Sequence, residues 1–228
     1  MQPLSLSPIG YIRTPFVEKF STPRQASLTQ IPAIIELEKN SFSSAAIKDL
    51  EGISHIWVLY VFHLNQNLTL KAKVRPPRSK LPRSLFATRT PHRPNPIGLS
   101  LVRLLKIDGA TLFIEGVDMV DGSPILDIKP YISAYDRPKG KVSSGWVDKL
   151  EPVRTLKVRW QKEALSQLKG LQKSSRRKYI TELLRLDPRP RPQRDQKRIF
   201  AFYYENMNIH VKYSLEICSV IKVEKAEV

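Results

Sequence analysis

Cysteine is almost absent from the 228-residue sequence, which carries only Cys218. One thiol excludes an intramolecular disulfide and a cysteine-rich zinc site, and it suits a reducing compartment, for which a cytoplasmic protein is the expectation. Long apolar runs are lacking too. The longest, Ile56 to Phe62, is far too short to cross a bilayer, so no membrane association is expected. The opening Met-Gln-Pro-Leu-Ser has no basic region followed by an apolar segment, so no signal peptide is expected. Glycine is sparse, with nine residues, and none forms the Gly-x-Gly-x-x-Gly or Gly-x-x-x-x-Gly-Lys-Ser/Thr loop of a Rossmann or P-loop phosphate site. His55, His63, His92 and His210 lack the spacing of a His-Glu-x-x-His helix, and no metal is expected. Acidic residues are missing altogether between Glu51 and Asp108, where ten Lys and Arg occur.

That one-sided stretch belongs to a chain of formal charge +17, and its excess of cations continues beyond Glu151. Such a field selects a polyanion, and nucleic acid is the expected partner of both parts of the chain. Apolar content of 41% and charged content of 26% indicate a globular protein with a sizeable core.

Short β-branched or aromatic runs dominate up to Tyr135. Ile9 to Ile12, Ala33 to Leu37, Ile53 to Phe62, Leu85 to Thr88, Gly98 to Ile107, Thr111 to Val117 and Ile125 to Ile128 read as strands, and Ser43 to Leu50 as one short helix. Many short strands without long intervening helices predict a mainly β fold, a barrel or sandwich. Leu70 to Arg83, rich in Pro and cations, reads as an exposed loop. Lys, Gly and Ser across Pro138 to Ser144 suggest a linker, dividing the chain into residues 1–140 and a smaller α+β domain, 141–228. In the latter Val153 to Trp160 alternates like a strand. Leu165, Leu168 and Leu171 recur at helical spacing, and Ser174 or Ser175 is placed to cap a helix with Tyr179, Leu183 and Leu186 on one face. Ile199 to Tyr204, Ile209 to Tyr213 and Leu215 to Val223 read as an antiparallel meander.

Phe86 to Ser100 packs three prolines, two arginines and a histidine between strand-like runs. Its prolines hold neighbours extended and remove backbone donors, predicting a rigid loop that fixes Arg89, His92, Arg93 and Asn95. Rigid polar loops between strands are where sites are built. Asp121-Gly122-Ser123-Pro124 has the composition of a hairpin turn, and Asp127 with Lys129 that of a wet strand face.

Ala87-Thr-Arg-Thr-Pro-His-Arg-Pro-Asn-Pro-Ile-Gly-Leu-Ser100 followed by Asp118-Met-Val-Asp-Gly-Ser-Pro-Ile-Leu-Asp-Ile-Lys-Pro-Tyr131 resembles the TsaA-like β-barrel proteins (the TrmO type), which are tRNA adenosine-37 N6-methyltransferases. Ile9 to Phe16, Lys19 to Gln25, His55 to His63, Val74 to Arg78 and Asp187-Pro-Arg-Pro190 extend the likeness over essentially the whole chain. The resemblance implies a single-sheeted antiparallel β-barrel that binds S-adenosylmethionine, a homodimer with the cofactor near the subunit interface, and the N6 of threonylcarbamoyladenosine in the tRNA anticodon stem-loop as acceptor. Carried over onto this sequence, the cofactor positions resemble Arg24, Gln25, Phe62, His63, Arg89, Leu99 and Asp118-Met119-Val120-Asp121. Candidate bases or orienters are His63, Asp118, Asp121 and Tyr131. Arg78 or Arg93 suits the substrate carboxylate, Asn95 the ordering of its loop or contact with the modified base, and Asp187 and Arg189, with Arg176 to Lys178, contact with tRNA. Tyr203, Tyr204 or Tyr213 is available for stacking on a base. The alternative is a noncatalytic RNA-binding protein retaining the barrel, against which Arg24, Arg89 and the Asp-x-x-Asp-Gly motif all stand; a hydrolase built on His63 lacks a nucleophile motif.

Overall fold

The computed structural model describes residues 4–39, 41–65, 69–170, 175–189, 193–194, 196 and 198–226, the side chains of 41 and 42 excepted. Six strands close an antiparallel barrel: β1 (Gly10–Arg13), β2 (Pro32–Leu37), β3 (His55–Val61), β6 (Ile97–Asp108), β7 (Thr111–Glu115) and β8 (Pro124–Pro130), in the order β1-β2-β7-β6-β3-β8. Alternation sets the inside. On β3 the residues Ile56, Val58 and Tyr60 point inward, and on β6 Gly98, Ser100 and Val102 face them, while Trp57, Leu59, Leu99 and Leu101 face outward.

Closure brings backbones very near at Gly10, which pairs with Leu37 on one side and Ile125 on the other. A Cβ there would lie 2.2 Å from the Glu36 carbonyl oxygen, and that atom belongs to the neighbouring strand rather than to a yielding side chain. Gly10→Ala is therefore expected to lower stability by an amount at the upper end of about 1–3 kcal/mol, read as a shift of the urea midpoint at unchanged slope.

The expected strand Leu85 to Thr88 is instead a 3-10 turn over Leu85–Ala87. Every strand of the closed barrel already has two partners, so the run finds no edge, and Leu85 is buried as an anchor while Thr88 Oγ1 donates back to its carbonyl. Within the expected loop Leu70 to Arg83 lies one strand of a minimal ribbon, β4 (Lys73–Val74) with β5 (Arg83–Ser84). The single helix expected over Ser43 to Leu50 is α1 (Ser41–Ala46) followed by a 3-10 turn, Lys48–Leu50, and a further short helix, α2 (Ser133–Asp136), follows β8.

Beyond the linker, β10 (Ile199–Tyr204), β11 (Met207–Ser214) and β12 (Ile217–Lys225) form the expected meander, joined in parallel on β12 by β9 (Lys157–Trp160). Strand structure thus occupies only the second half of Val153 to Trp160. Helices α3 (Lys162–Gly170) and α4 (Arg176–Arg185) bury Ala164 and Leu168, and Ile180, Leu183 and Leu184. Ser175 stands at the N-cap of α4 without a side-chain capping bond; Leu171 and Ser174 lie outside the described residues.

One continuous apolar core runs from the barrel into this second sheet. At the junction the Phe16 and Tyr204 rings meet edge to face, and the Glu205 N–H donates to the Pro15 carbonyl at 3.0 Å.

Candidate active site

Three segments far apart in sequence converge at one region of the barrel. Arg89, in the proline-rich loop, donates from Nη1 to Gln25 Oε1 at 2.6 Å. Gln25 precedes the 3-10 turn Ala26–Leu28, and the Ala26 backbone hydrogen-bonds the carboxylate of Asp118. The loop carrying Asp118 can lie against that turn because Gly116, at φ +74°, leaves the Ala26 and Thr29 carbonyls 3.1 and 3.2 Å from where a Cβ would stand. Asp118 accepts from Ser100 Oγ at 2.5 Å, and Ser100 in turn hydrogen-bonds the Tyr60 hydroxyl. Burial raises the Asp118 pKa above the ordinary aspartate value, opposed by the Ser100 and backbone hydrogen bonds and by the charge of Arg89. Burial and the neighbouring Asp118 charge likewise raise the Tyr60 pKa, opposed by the Ser100 hydrogen bond, so its hydroxyl stays protonated. Tyr60 and Ser100 thus belong to the site although the sequence reading did not single them out. The available signal was a large inward aromatic opposite two small inward residues, Gly98 and Ser100.

His63 sits just beyond β3, at the barrel end where Phe62 donates its N–H to the Pro96 carbonyl. Burial lowers the His63 pKa, partly offset by a hydrogen bond to the Val61 carbonyl and by the charge of Asp121. At neutral pH the ring is therefore uncharged, with one N–H donated and the other nitrogen carrying a lone pair. Asp121 is committed to the turn: Oδ1 accepts the Thr14 N–H at 2.9 Å, and its own N–H donates to the Phe16 carbonyl at 2.7 Å. Gly122, at φ +71°, and the Ser123 N–H bonded to the Val120 carbonyl complete a turn there, but not the hairpin that the composition indicated, because the flanking strands β7 and β8 are not neighbours in the barrel and β8 pairs with β1 and β3.

The other expected site residues divide by exposure. Leu99 is 57% exposed on the outer face of β6, whereas the Met119 side chain, 1% exposed, belongs to the core. Phe62 packs edge to face on Tyr60 with centroids 5.1 Å apart. Tyr131 lies at the opposite end of β3 from His63, its N–H on the His55 carbonyl and its ring against His55 and Trp57, so the structure does not bring it to the other candidate bases. Arg93 donates to the Thr88 carbonyl at 2.8 Å with its guanidinium over the Phe86 ring; Arg78 donates to the Glu151 carbonyl. Asn95 is exposed, and its carbonyl accepts the Ile97 N–H at 2.8 Å. The exposed pair Asp127 and Lys129 meets at 2.8 Å and adds little stability.

Asp187 and Arg189 form an internal clamp. Arg189, 5% exposed, grips Asp187 through Nε at 2.8 Å and Nη2 at 3.1 Å, donates from Nη1 to the Arg194 carbonyl, and lies 3.5 Å from the centroid of Tyr213. Its burial withdraws it from direct contact with an incoming phosphate. The clamp acts on Arg24 through charge alone: the Arg24 pKa is lowered by desolvation first and by Arg194 next, with Asp187 opposing. Pro190 and the following Arg191 and Pro192 lie outside the described residues. Arg176 is paired with Glu205, leaving Arg177 and Lys178 as the exposed cations of that run. Among the described residues no group of three or more His, Cys, Asp or Glu is placed to hold a metal ion, and no helix is long and apolar enough to cross a membrane.

Comparison with known proteins supplies the wider context. Residues 11–137 match the tRNA-methyltransferase O N-terminal domain, and residues 153–226 its C-terminal domain. A mouse tRNA (adenine(37)-N6)-methyltransferase is 47% identical over 140 residues, covering 60% of this chain; the chain spans only 32% of that relative's length. The Escherichia coli protein of the same name is 34% identical over 221 residues, covering 92% of this chain and 93% of its own. Further relatives carry S-adenosylmethionine in their names. A crystal structure of TrmO from Pseudomonas aeruginosa superposes with a TM-score of 0.79 at 33% identity, covering 99% of each chain. The matching domain pair, its order along the chain and the shared barrel agree: this chain belongs to the tRNA-methyltransferase O family.

Proposed function

We propose that the chain is an S-adenosylmethionine-dependent methyltransferase acting on N6 of adenine 37 in tRNA, with threonylcarbamoyladenosine as the acceptor. The observation that carries this reading is the convergence of Gln25, Arg89 and Asp118, a cation and a half-buried carboxylate held together from three separate motifs. This donor set fits an amino-acid-bearing sulfonium: Arg89 and Arg24 are suited to its carboxylate, Asp118 to its ammonium, and exposed Leu99 to an adenine face. When bound, that cofactor supplies an electrophilic methyl group. The protein's work is to align the acceptor nitrogen and exclude water.

The acceptor is a weakly nucleophilic urea nitrogen that gains by losing its proton. His63, uncharged and with a free lone pair, is the best-suited base of the four candidates; Asp121 is occupied by its turn and Tyr131 stands at the far end of β3. Arg93 and Arg78 each hold spare N–H donors for the threonyl carboxylate after their single carbonyl bonds.

Residues 1–140 act as the methyltransferase domain and residues 141–228 as the tRNA-contacting one. The protein works as a cytoplasmic homodimer, and the exposed apolar residues Ile97 and Leu99 on the outer face of β6 support a partner subunit beside the cofactor site.

Transfer of labelled methyl from S-adenosylmethionine to tRNA carrying threonylcarbamoyladenosine, beside the same tRNA without it, tests the reading. Label on the modified tRNA alone is expected. Arg89→Ala should weaken cofactor binding roughly tenfold or more in calorimetry, through loss of a charge-assisted contact. Absence of label and of cofactor binding in the unaltered protein, with tRNA binding retained, would favour the noncatalytic alternative.

A further inference from the structure

The C-terminal sheet buries one face and leaves the other open. Phe200, Phe202, Tyr204, Ile209, Val211 and Tyr213 point to the buried side, so two of the three tyrosines considered for stacking are core residues. Tyr203 is the exception. It stands half-buried on the open side of β10, directly opposite Asn208 of β11.

The same open face carries exposed cations in register. Lys212 on β11 lies opposite Ser219 of β12, which lies opposite Arg159 of β9, and Lys157 follows on β9 opposite Ile217. Among the described residues none of these three cations is in an ion pair. The acidic group on the face, Glu224, is already engaged by Lys222 and by His210 Nε2, the latter at 2.6 Å, and those contacts hold its pKa below the ordinary value. Ala201 and His210, the latter held by Glu224, lie between the tyrosine and Lys212 on this face, and Ser219 lies between Lys212 and Arg159. With strands about 4.8 Å apart and residues about 3.3 Å apart along them, Tyr203 stands roughly 13 Å along the sheet and 14 Å across it from Arg159.

We propose that this open face binds single-stranded RNA, with Tyr203 as the stacking platform for one unpaired base, Asn208 as a donor and acceptor for that base's edge, and Lys212, Arg159 and Lys157 along the phosphate track. An aromatic ring on a sheet face that also carries separated cations suits unpaired nucleotides, whose bases can splay out; a duplex hides its bases and would use the cations alone. The proposal rests on the tRNA-modifying reading for the identity of its ligand, and it places tRNA contact on the sheet face rather than on the buried Asp187–Arg189 clamp.

The test uses the full chain and two labelled probes, a short single-stranded RNA and a blunt RNA duplex, with binding read by fluorescence anisotropy over a salt series. Tyr203→Ala is expected to weaken single-stranded binding about fivefold or more, and Tyr203→Phe to leave it unchanged. Lys212→Ala and Arg159→Ala should each lower the salt slope by about 0.7. Single-strand affinity of Tyr203→Ala within about twofold of the unaltered protein, with unchanged slopes for the two cation variants, would overturn the proposal, as would a preference for duplex. Should Tyr203→Ala unfold early on heating, the slopes of the two exposed cation variants decide. Calorimetry with S-adenosylmethionine and the methyl-transfer assay run alongside: methyl transfer with Tyr203-independent binding removes the RNA platform alone, and Tyr203-dependent binding without methyl transfer removes the enzymatic reading alone.

Discussion

Asp187→Ala is expected to destabilise the protein by about 3–5 kcal/mol, lowering the thermal midpoint by on the order of 10 °C, because it strands buried guanidinium charge. The Asp187 side chain is 13% exposed and that of Arg189 is 6% exposed, so water cannot replace the lost partner. Arg194 Nε lies 3.3 Å from the same carboxylate without a hydrogen bond to it, an attraction through charge. Position 187 also has a backbone demand. It follows the last turn of α4 with φ +48° and donates its N–H to the Leu184 carbonyl, a left-handed helix ending that glycine fills most readily. An aspartate stands there because the carboxylate is needed where the chain turns. Three variants separate the two demands. Asp187→Gly relieves the backbone and removes the charge, Asp187→Asn tolerates the backbone and keeps hydrogen-bonding capacity, and Asp187→Ala loses on both counts. The expected order of stability is Asn above Gly above Ala, with all three below the unaltered protein in chemical denaturation. Equal stability of the asparagine variant and the unaltered protein would show that the charge of the carboxylate contributes nothing. Since Arg24 feels the Asp187 charge, which all three variants remove, cofactor affinity should fall by a similar amount in each.

Gly98→Ala is expected to cost about 2–5 kcal/mol and to lower cofactor affinity as well. A Cβ at Gly98 would stand 2.2 Å from Cζ of Tyr60 and 2.4 Å from Cε1. The ring lies across the glycine backbone of the facing strand, an arrangement in which an aromatic side chain covers what glycine leaves bare. Tyr60 is 3% exposed and its hydroxyl is bonded to Ser100, so the ring has nowhere to swing without leaving that partner. Overpacking and a buried hydroxyl left unsatisfied both contribute. Because Ser100 donates to Asp118, displacement of Tyr60 reaches the carboxylate of the proposed site. A double-mutant cycle with Tyr60→Leu checks the cause: the second change should recover much of the stability lost to Gly98→Ala but not the cofactor affinity. Additive losses would mean that the clash with Tyr60 is not the origin of the effect.

The amino-acid sequence by itself determined the strand periodicity, the turn at Asp121-Gly122, the C-terminal meander and the family motifs. Each depends on side-chain alternation, backbone conformation or residue type within a few neighbours, all of which are local. Tertiary structure decided what local pattern leaves open. Leu85 to Thr88 has strand composition but no edge to join in a closed barrel, and β9 became a parallel fourth strand only through its distant pairing with β12. Alternation marked Tyr203, Tyr204 and Tyr213 as strand residues, while the helices covering one side of the sheet settled which of them meets solvent. Arg24, Arg89 and Arg189 are the same residue type in similar proline-rich surroundings. Only the three-dimensional arrangement distinguishes the one gripping a buried carboxylate from the one joined to Gln25, because burial and charge partners come from segments far apart along the chain.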